Sequence, residues 1–156
     1  MAIVNRPFFD TSILVAGLID FGESSRASIE LLDRVADRRI PHAATAWHCC
    51  LEFFSVVTRL PEEYRLPIET AQQFVDEEII GRLGIKILTQ ADQKTFFRST
   101  AQNEIPGGRV YDFHIGMIAL TNFASTIVTE NKKHFSLFER QGLPVLSSDE
   151  FIQTLQ

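Results

Sequence analysis

The sequence predicts an α/β fold of three layers, with a mostly parallel central sheet flanked by helices. Three observations carry this. Short apolar runs alternate with longer segments that have a helical apolar stripe. The short runs are continuously apolar rather than alternating, as strands buried on both faces are. Pro and Gly fall between these segments, at Pro61, Pro67, Gly84 and Pro106-Gly107-Gly108, and rarely inside them.

The elements follow in order. Ile3 to Phe9 is the first buried strand. Ser24 or Ser25 caps a helix to about Asp37, whose stripe is Ile29, Leu31, Leu32, Val35 and Ala36. Ile40 to Ala44 is a short strand. Thr45 then caps a helix to about Leu60, stopped by Pro61. Pro67 opens a helix from Ile68 to about Leu83, ended by Gly84. Ile85 to Leu88 is a strand, Asp92 to Asn103 a helix, and Arg109 to about Phe123 a further, strongly apolar helix. Thr126 to Thr129 is a strand, Phe135 to about Arg140 a helical turn, and Val145-Leu146 a last edge strand before a helix capped by Ser148. No repeat, low-complexity tract or linker interrupts this order, so residues 1–156 form one domain.

Composition narrows the function classes. Hydrophobic residues make up 45% and charged residues 22%, enough for a normal core, and thirteen Phe against one Trp and two Tyr make it aromatic and dry. A net charge of −5 argues against coating nucleic acid by bulk charge. Cys49 and Cys50 are adjacent and form neither a disulfide framework nor a Cys-x-x-Cys knuckle. A reducing cytoplasm suits them. The apolar run from Ile13 to Ile19 is too short to span a bilayer, and Asp10 and Asp20 flank it, so neither a membrane anchor nor a signal peptide is expected.

In such folds ligands bind beyond the carboxyl ends of the strands. Asp10 stands there after the first strand, in FFDTSIL, with Thr11 and Ser12 following. An ionised Asp between apolar runs must be paired, bind a cation, or lie where the chain surfaces. On the helix after the second strand, Thr45, His48, Glu52, Ser55 and Arg59 recur at three- and four-residue steps as one polar stripe. Glu52 is its only acid. Taken alone, Glu52 reads more simply as an ion-pair partner of Arg59 or of an outside lysine. Asp112 lies in the first turn of an otherwise apolar helix, where the helix N-terminus favours a carboxylate. Thr129 and Asn131 end IVTENKKHF.

Three carboxylates and an amide are hard oxygen ligands, suited to Mg²⁺ or Mn²⁺ rather than zinc. At ~4 Å and an effective dielectric near 20, each like-charged pair costs about 4 kcal/mol without a cation. Asp10, Glu52, Asp112 and Asn131 are therefore the candidate metal ligands, the three acids the candidate catalytic groups, and phosphodiester hydrolysis by an activated water the candidate reaction. Thr11, Ser12, Arg59 and Thr129 are candidate substrate contacts, with Arg109, Lys132 and Lys133 as further phosphate-binding cations.

These pieces, in this order, resemble the PIN-domain ribonucleases, especially the VapC-type toxins of toxin–antitoxin pairs. The likeness runs from FFDTSIL through Glu52 and GRVYDFHIGMIAL to IVTENKKHF and PVLSSDEFI. It implies a PIN-like, Rossmann-like fold, a Mg²⁺- or Mn²⁺-dependent endoribonuclease, an RNA substrate, a cognate antitoxin protein and a homodimer. Asn131 departs from the family pattern, where Asp is frequent, and His114 and His134 stand where some relatives carry another acid. His114 is expected to be packed and His134 to be a surface residue. A haloacid-dehalogenase-like phosphatase needs an acid two residues after Asp10, and Ser12 stands there. A receiver module needs an acceptor Asp after its middle strand, and Thr89-Gln90 stand there. A PIN-like module without activity, used for protein contacts, is the remaining alternative.

Overall fold

Five short strands build a wholly parallel sheet in the computed structural model, which describes residues 4–155. They are β1 (Pro7–Phe9), β2 (Ala44–Ala46), β3 (Gly84–Lys86), β4 (Thr126–Val128) and β5 (Val145–Leu146). Their order is β3-β2-β1-β4-β5, with Phe8 opposite both Ala44 and Ile127. The chain thus grows outward from β1 through β2 and β3, then restarts with β4 on the other side of β1. That reversal opens a crevice between the carboxyl ends of β1 and β4, where such sheets bind ligands. Ile3, assigned to the first strand by its sequence, lies outside the described residues.

The helices are α1 (Thr11–Leu18), α2 (Arg26–Ala36), α3 (Trp47–Val57), α4 (Ile68–Gln73), α5 (Gln90–Gln102), α6 (Arg109–Thr121), α7 (Ser136–Arg140) and α8 (Ser148–Thr154). A π-helical stretch, Phe74–Ile80, continues α4, and 3₁₀ turns span Glu23–Ser25 and Lys132–Phe135. α1 packs on α2 and α3, and α2 on α8, while α6 packs on α5, on β2 and on the second 3₁₀ turn. Phe8, Phe9, Phe53, Phe135, Phe138 and Phe151 are fully buried, which makes the core as aromatic as the composition suggests. Among the described residues no helix is long and apolar enough to cross a membrane.

Several boundaries differ from the sequence-based expectation, each for a local reason. α1 was not anticipated: Asp10 is its N-cap, accepting from the Ser12 N–H, and starts a helix inside the apolar run. Thr45 does not cap α3. It lies in β2, where its hydroxyl donates to the Phe9 carbonyl at 2.6 Å. α3 closes at Val57, not near Leu60, because the Leu66 N–H takes the Val57 carbonyl at 2.9 Å and the Thr58 hydroxyl the Phe54 carbonyl at 2.8 Å. α8 is capped by Ser147 in a capping box with Glu150, not by Ser148.

α6 needs glycine at one place. A Cβ on Gly116 would overlap the ring of the buried Phe138. Gly116→Ala is therefore expected to lower stability by about 1–3 kcal/mol through overpacking. A urea midpoint unchanged from wild type would show that α7 shifts freely.

Candidate active site

β1 ends at Phe9, and the next residue breaks surface into the crevice. Asp10 is 4% exposed, and its Oδ2 accepts from the Thr129 hydroxyl at 2.8 Å and the Ser12 hydroxyl at 3.0 Å. The Thr129 hydroxyl accepts in turn from the Asn131 N–H at 2.9 Å, and the Ser12 hydroxyl from the Glu130 N–H at 3.0 Å. The two hydroxyls thus clip the end of β4 to the end of β1. Both donate to one carboxylate oxygen, which leaves Oδ1 for the cavity. Burial pushes the Asp10 carboxyl above its ordinary pKa, and the hydrogen bonds from Thr129, Ser12 and the local backbone offset only part of that.

Glu52 comes to the same cavity from α3. Its Oε1 accepts from the Thr11 hydroxyl at 2.7 Å, and its Oε2 lies 3.8 Å from His48 Nε2, one turn back on the helix. Half-burial opposes its ionisation. The His48 imidazole and the Thr11 hydroxyl outweigh this and hold its pKa below the ordinary value. His48 Nδ1 also meets His114 Nδ1 at 2.7 Å, so one ring of the pair donates and the other accepts. Burial, with the His48 charge, lowers the His114 pKa. This matches a packed His114 and gives it a polar partner.

Asp112 enters from the first turn of α6, and its Oδ2 lies 3.1 Å from His134 Nδ1. Burial raises its pKa; His134 opposes this, while the Asp10 and Glu52 charges add to it. The three carboxylates therefore sense one another. His134 is more than half exposed, as expected of a surface residue, yet it stands directly beside Asp112 and, with the more distant His48, offsets part of its charge.

Asp10, Thr11, Ser12, Glu52, Asp112, Asn131 and His134 line one open cavity of about 400 Å³, walled on its apolar side by Val15, Ala16, Phe21 and Val56. Among the described residues no Lys or Arg lines it. The other candidates lie elsewhere. Thr129 is fully buried with its hydroxyl engaged, so it positions Asp10 rather than meeting substrate. Arg59 falls beyond the end of α3, is exposed, and donates from Nε to the Ser55 carbonyl at 3.2 Å. Lys132 pairs with Glu150 at 2.8 Å, and neither Lys133 nor Arg109 lines the cavity. His48 and His134 are the polar neighbours not assigned from sequence. His48 was within reach, lying four residues before Glu52 on its stripe.

The donors are hard oxygens around uncompensated negative charge, which fits a hard divalent cation. Among the described residues no three His, Cys, Asp or Glu side chains already form a metal-binding group. Glu52 is turned to Thr11 and Asp112 to His134, as repulsion between the acids requires. The two thiols offer no alternative chemistry: burial pushes Cys49 to about 12, with the Asp10 charge adding to it, and Cys50 to about 11.

No family model matches the chain. Ribonuclease VapC27 of Mycobacterium tuberculosis is 31% identical over 104 residues, covering 67% of this chain and 73% of that protein. Ribonuclease VapC40 of the same species is 29% identical over 137 residues, covering 87% and 94%. The fold is similar to that of VapBC2 from Rickettsia felis, solved with a fragment of promoter DNA, at a TM-score of 0.60 and 20% identity, covering 91% of this chain and 98% of that one.

Proposed function

Because the chain belongs to the VapC ribonuclease family, we propose that it is an endoribonuclease that hydrolyses RNA phosphodiester bonds as the toxin of a toxin–antitoxin pair. One observation carries this reading: Asp10, Glu52, Asp112 and Asn131, from four separate elements, meet in a cavity with no Lys or Arg in its lining. Mg²⁺ or Mn²⁺ held by the three acids and the Asn131 amide oxygen would polarise a phosphoryl oxygen and acidify a water.

The chain's own residues do the rest. The Thr129 and Ser12 hydroxyls orient Asp10 and leave Oδ1 to ligate. Thr11 and His48 keep Glu52 ionised at neutral pH. Asp112 is presented to the cavity by the first turn of α6, and the His134 ring 3.1 Å from its Oδ2 orients that carboxylate. No side chain here is a nucleophile. The Ser12 hydroxyl is committed to Asp10 and Glu130, and both thiols are protonated. Water therefore adds to phosphorus as the P–O bond to the leaving ribose breaks. The apolar wall of Val15, Ala16, Phe21 and Val56 is where a nucleobase lies.

An antitoxin chain and a homodimer belong to the same proposal. Trp47, Leu51, Ile87 and Tyr111 are exposed around a cleft of about 610 Å³ that includes His48 and Glu52 in its wall. An apolar partner segment fits there, with a basic side chain entering the acidic cavity. Purified protein is expected to cut labelled single-stranded RNA with Mn²⁺ or Mg²⁺ and to stop in excess chelator. Cleavage undiminished by chelator would remove the metal from the mechanism. Folded protein inert with every divalent ion would leave the non-catalytic interaction module.

A further inference from the structure

At the amino ends of the strands, on the edge opposite the acidic cavity, lies a second cavity of about 450 Å³. It shares no lining residue with the first. Its apolar lining includes the buried Phe8, Val35, Ile40 and Ala44. Arg6, Arg38, Arg82 and Lys86 complete it with cationic groups, and His42 adds an imidazole. Four of the chain's fifteen Lys and Arg are thus gathered here, with none of its twenty Asp and Glu, in a protein of net charge −5. Arg82 shares its charge with Glu78, and an anion entering the cavity meets the remaining positive charge of Arg6, Arg38 and Lys86.

Local contacts brace two of these cations. Arg6 is tied at both ends of its peptide unit to Ser125, donating to Oγ at 2.8 Å and accepting from N–H at 3.0 Å. Arg82 is braced by Glu78 at 2.5 Å, one turn back. The loop after α2 presents Arg38 and His42 with φ of 60° and 66°, a conformation non-glycine residues rarely take. Among the described residues Arg6, Arg38 and Lys86 make no ion pair.

We propose that this cavity binds the phosphate groups of a small phosphorylated molecule of nucleotide size. Arg guanidinium groups recognise phosphate through paired N–H donors, and Lys adds a point charge. The volume lies in the range of small-molecule sites, and the apolar lining suits a ring system beside the phosphates. A polynucleotide would need a cationic track extending beyond the rim. This inference does not depend on the nuclease reading.

Calorimetric titration of the full chain with pyrophosphate, in chelator to remove divalent ions, tests it. Saturable binding is expected, with affinity falling about tenfold or more in Arg38→Gln/Lys86→Gln, since charge-assisted bonds are lost. Arg38 is exposed and Lys86 half-buried, and an unchanged melting curve checks the fold. ADP should displace pyrophosphate; adenosine and a short single-stranded RNA should not. No binding at millimolar pyrophosphate, binding indifferent to the double substitution, or displacement by the RNA but not by ADP would each overturn the assignment.

Discussion

Asp10→Asn is expected to reduce metal-dependent RNA cleavage by about a thousandfold or more, while raising the melting temperature of the metal-free protein. The first effect follows from the loss of an anionic ligand, since a cation's share in stabilising transition-state charge is several kcal/mol. The second follows from the cost of keeping that carboxylate. Asp10 is almost wholly buried, and its folded pKa lies above the ordinary value. For a raised carboxyl, the contribution to stability is fully present below the unfolded-state pKa, near ~3.9, and is lost as pH rises through the folded pKa. As pH rises, wild type increasingly carries the cost of a buried charge, and the amide has no charge to bury. The amide oxygen still accepts from Thr129 and Ser12, so the clip between β1 and β4 survives. Each kcal/mol recovered should raise the melting temperature by about 2–4 °C. The gain should disappear in acid, where wild-type Asp10 is itself neutral. Wild-type cleavage by the purified variant would remove Asp10 from the chemistry. A melting temperature that falls by several degrees at pH 7 would make its role structural.

The sequence carried much of this site because an acid next to a buried strand is conspicuous against apolar neighbours. Asp10 is legible for that reason, Glu52 and Asp112 as acids within apolar helices, and Asn131 as the polar end of a buried strand, and all four line one cavity. Their partners were harder to see. Thr129 reads from sequence as an inward-facing hydroxyl, but whether it faces cavity or core depends on the pleat at the end of the short strand β4. Arg59 was placed with Glu52 by extending the helical period past Val57, where tertiary hydrogen bonds end the helix. α1 shows a missed cue. Its sequence is apolar nearly all round and gives no amphipathic signal, yet Asp10 before Thr11 and Ser12 is an ordinary N-cap. Asp10 is thus both a cap and a candidate ligand. The strand order could not be read at all, because short, uniformly apolar strands carry no mark of which neighbour they pair with. The cationic cavity was invisible for the same reason, since Arg6, Arg38, Arg82 and Lys86 come from four separate segments.

Asn131→Asp is expected to tighten Mn²⁺ binding by about tenfold and to destabilise the metal-free protein. Asn131 lines the cavity, its N–H is held by Thr129, and its side chain caps no helix. Its amide is thus available as a neutral oxygen ligand. A carboxylate there gains several kcal/mol of attraction to a cation ~4 Å away, most of which desolvation and ordering remove. Without the cation, the fourth acid adds to the repulsion that already raises Asp112, so the pKa of Asp112 should climb further. The sign with pH follows. Acids raised in the folded state destabilise it increasingly as pH rises, so the variant should fall furthest below wild type in metal-free buffer above neutrality. Mn²⁺ should reverse that order, because the extra anion then faces a cation. Asn131→Ala should bind somewhat less tightly and keep part of the activity, since water can replace a neutral ligand. Calorimetry on the three proteins, with thermal melts across pH, measures all of this. Equal affinities in wild type and Asn131→Asp would place residue 131 outside the ligand set. An Asn131→Ala variant as inert as Asp10→Asn would give the amide a direct role in the chemistry.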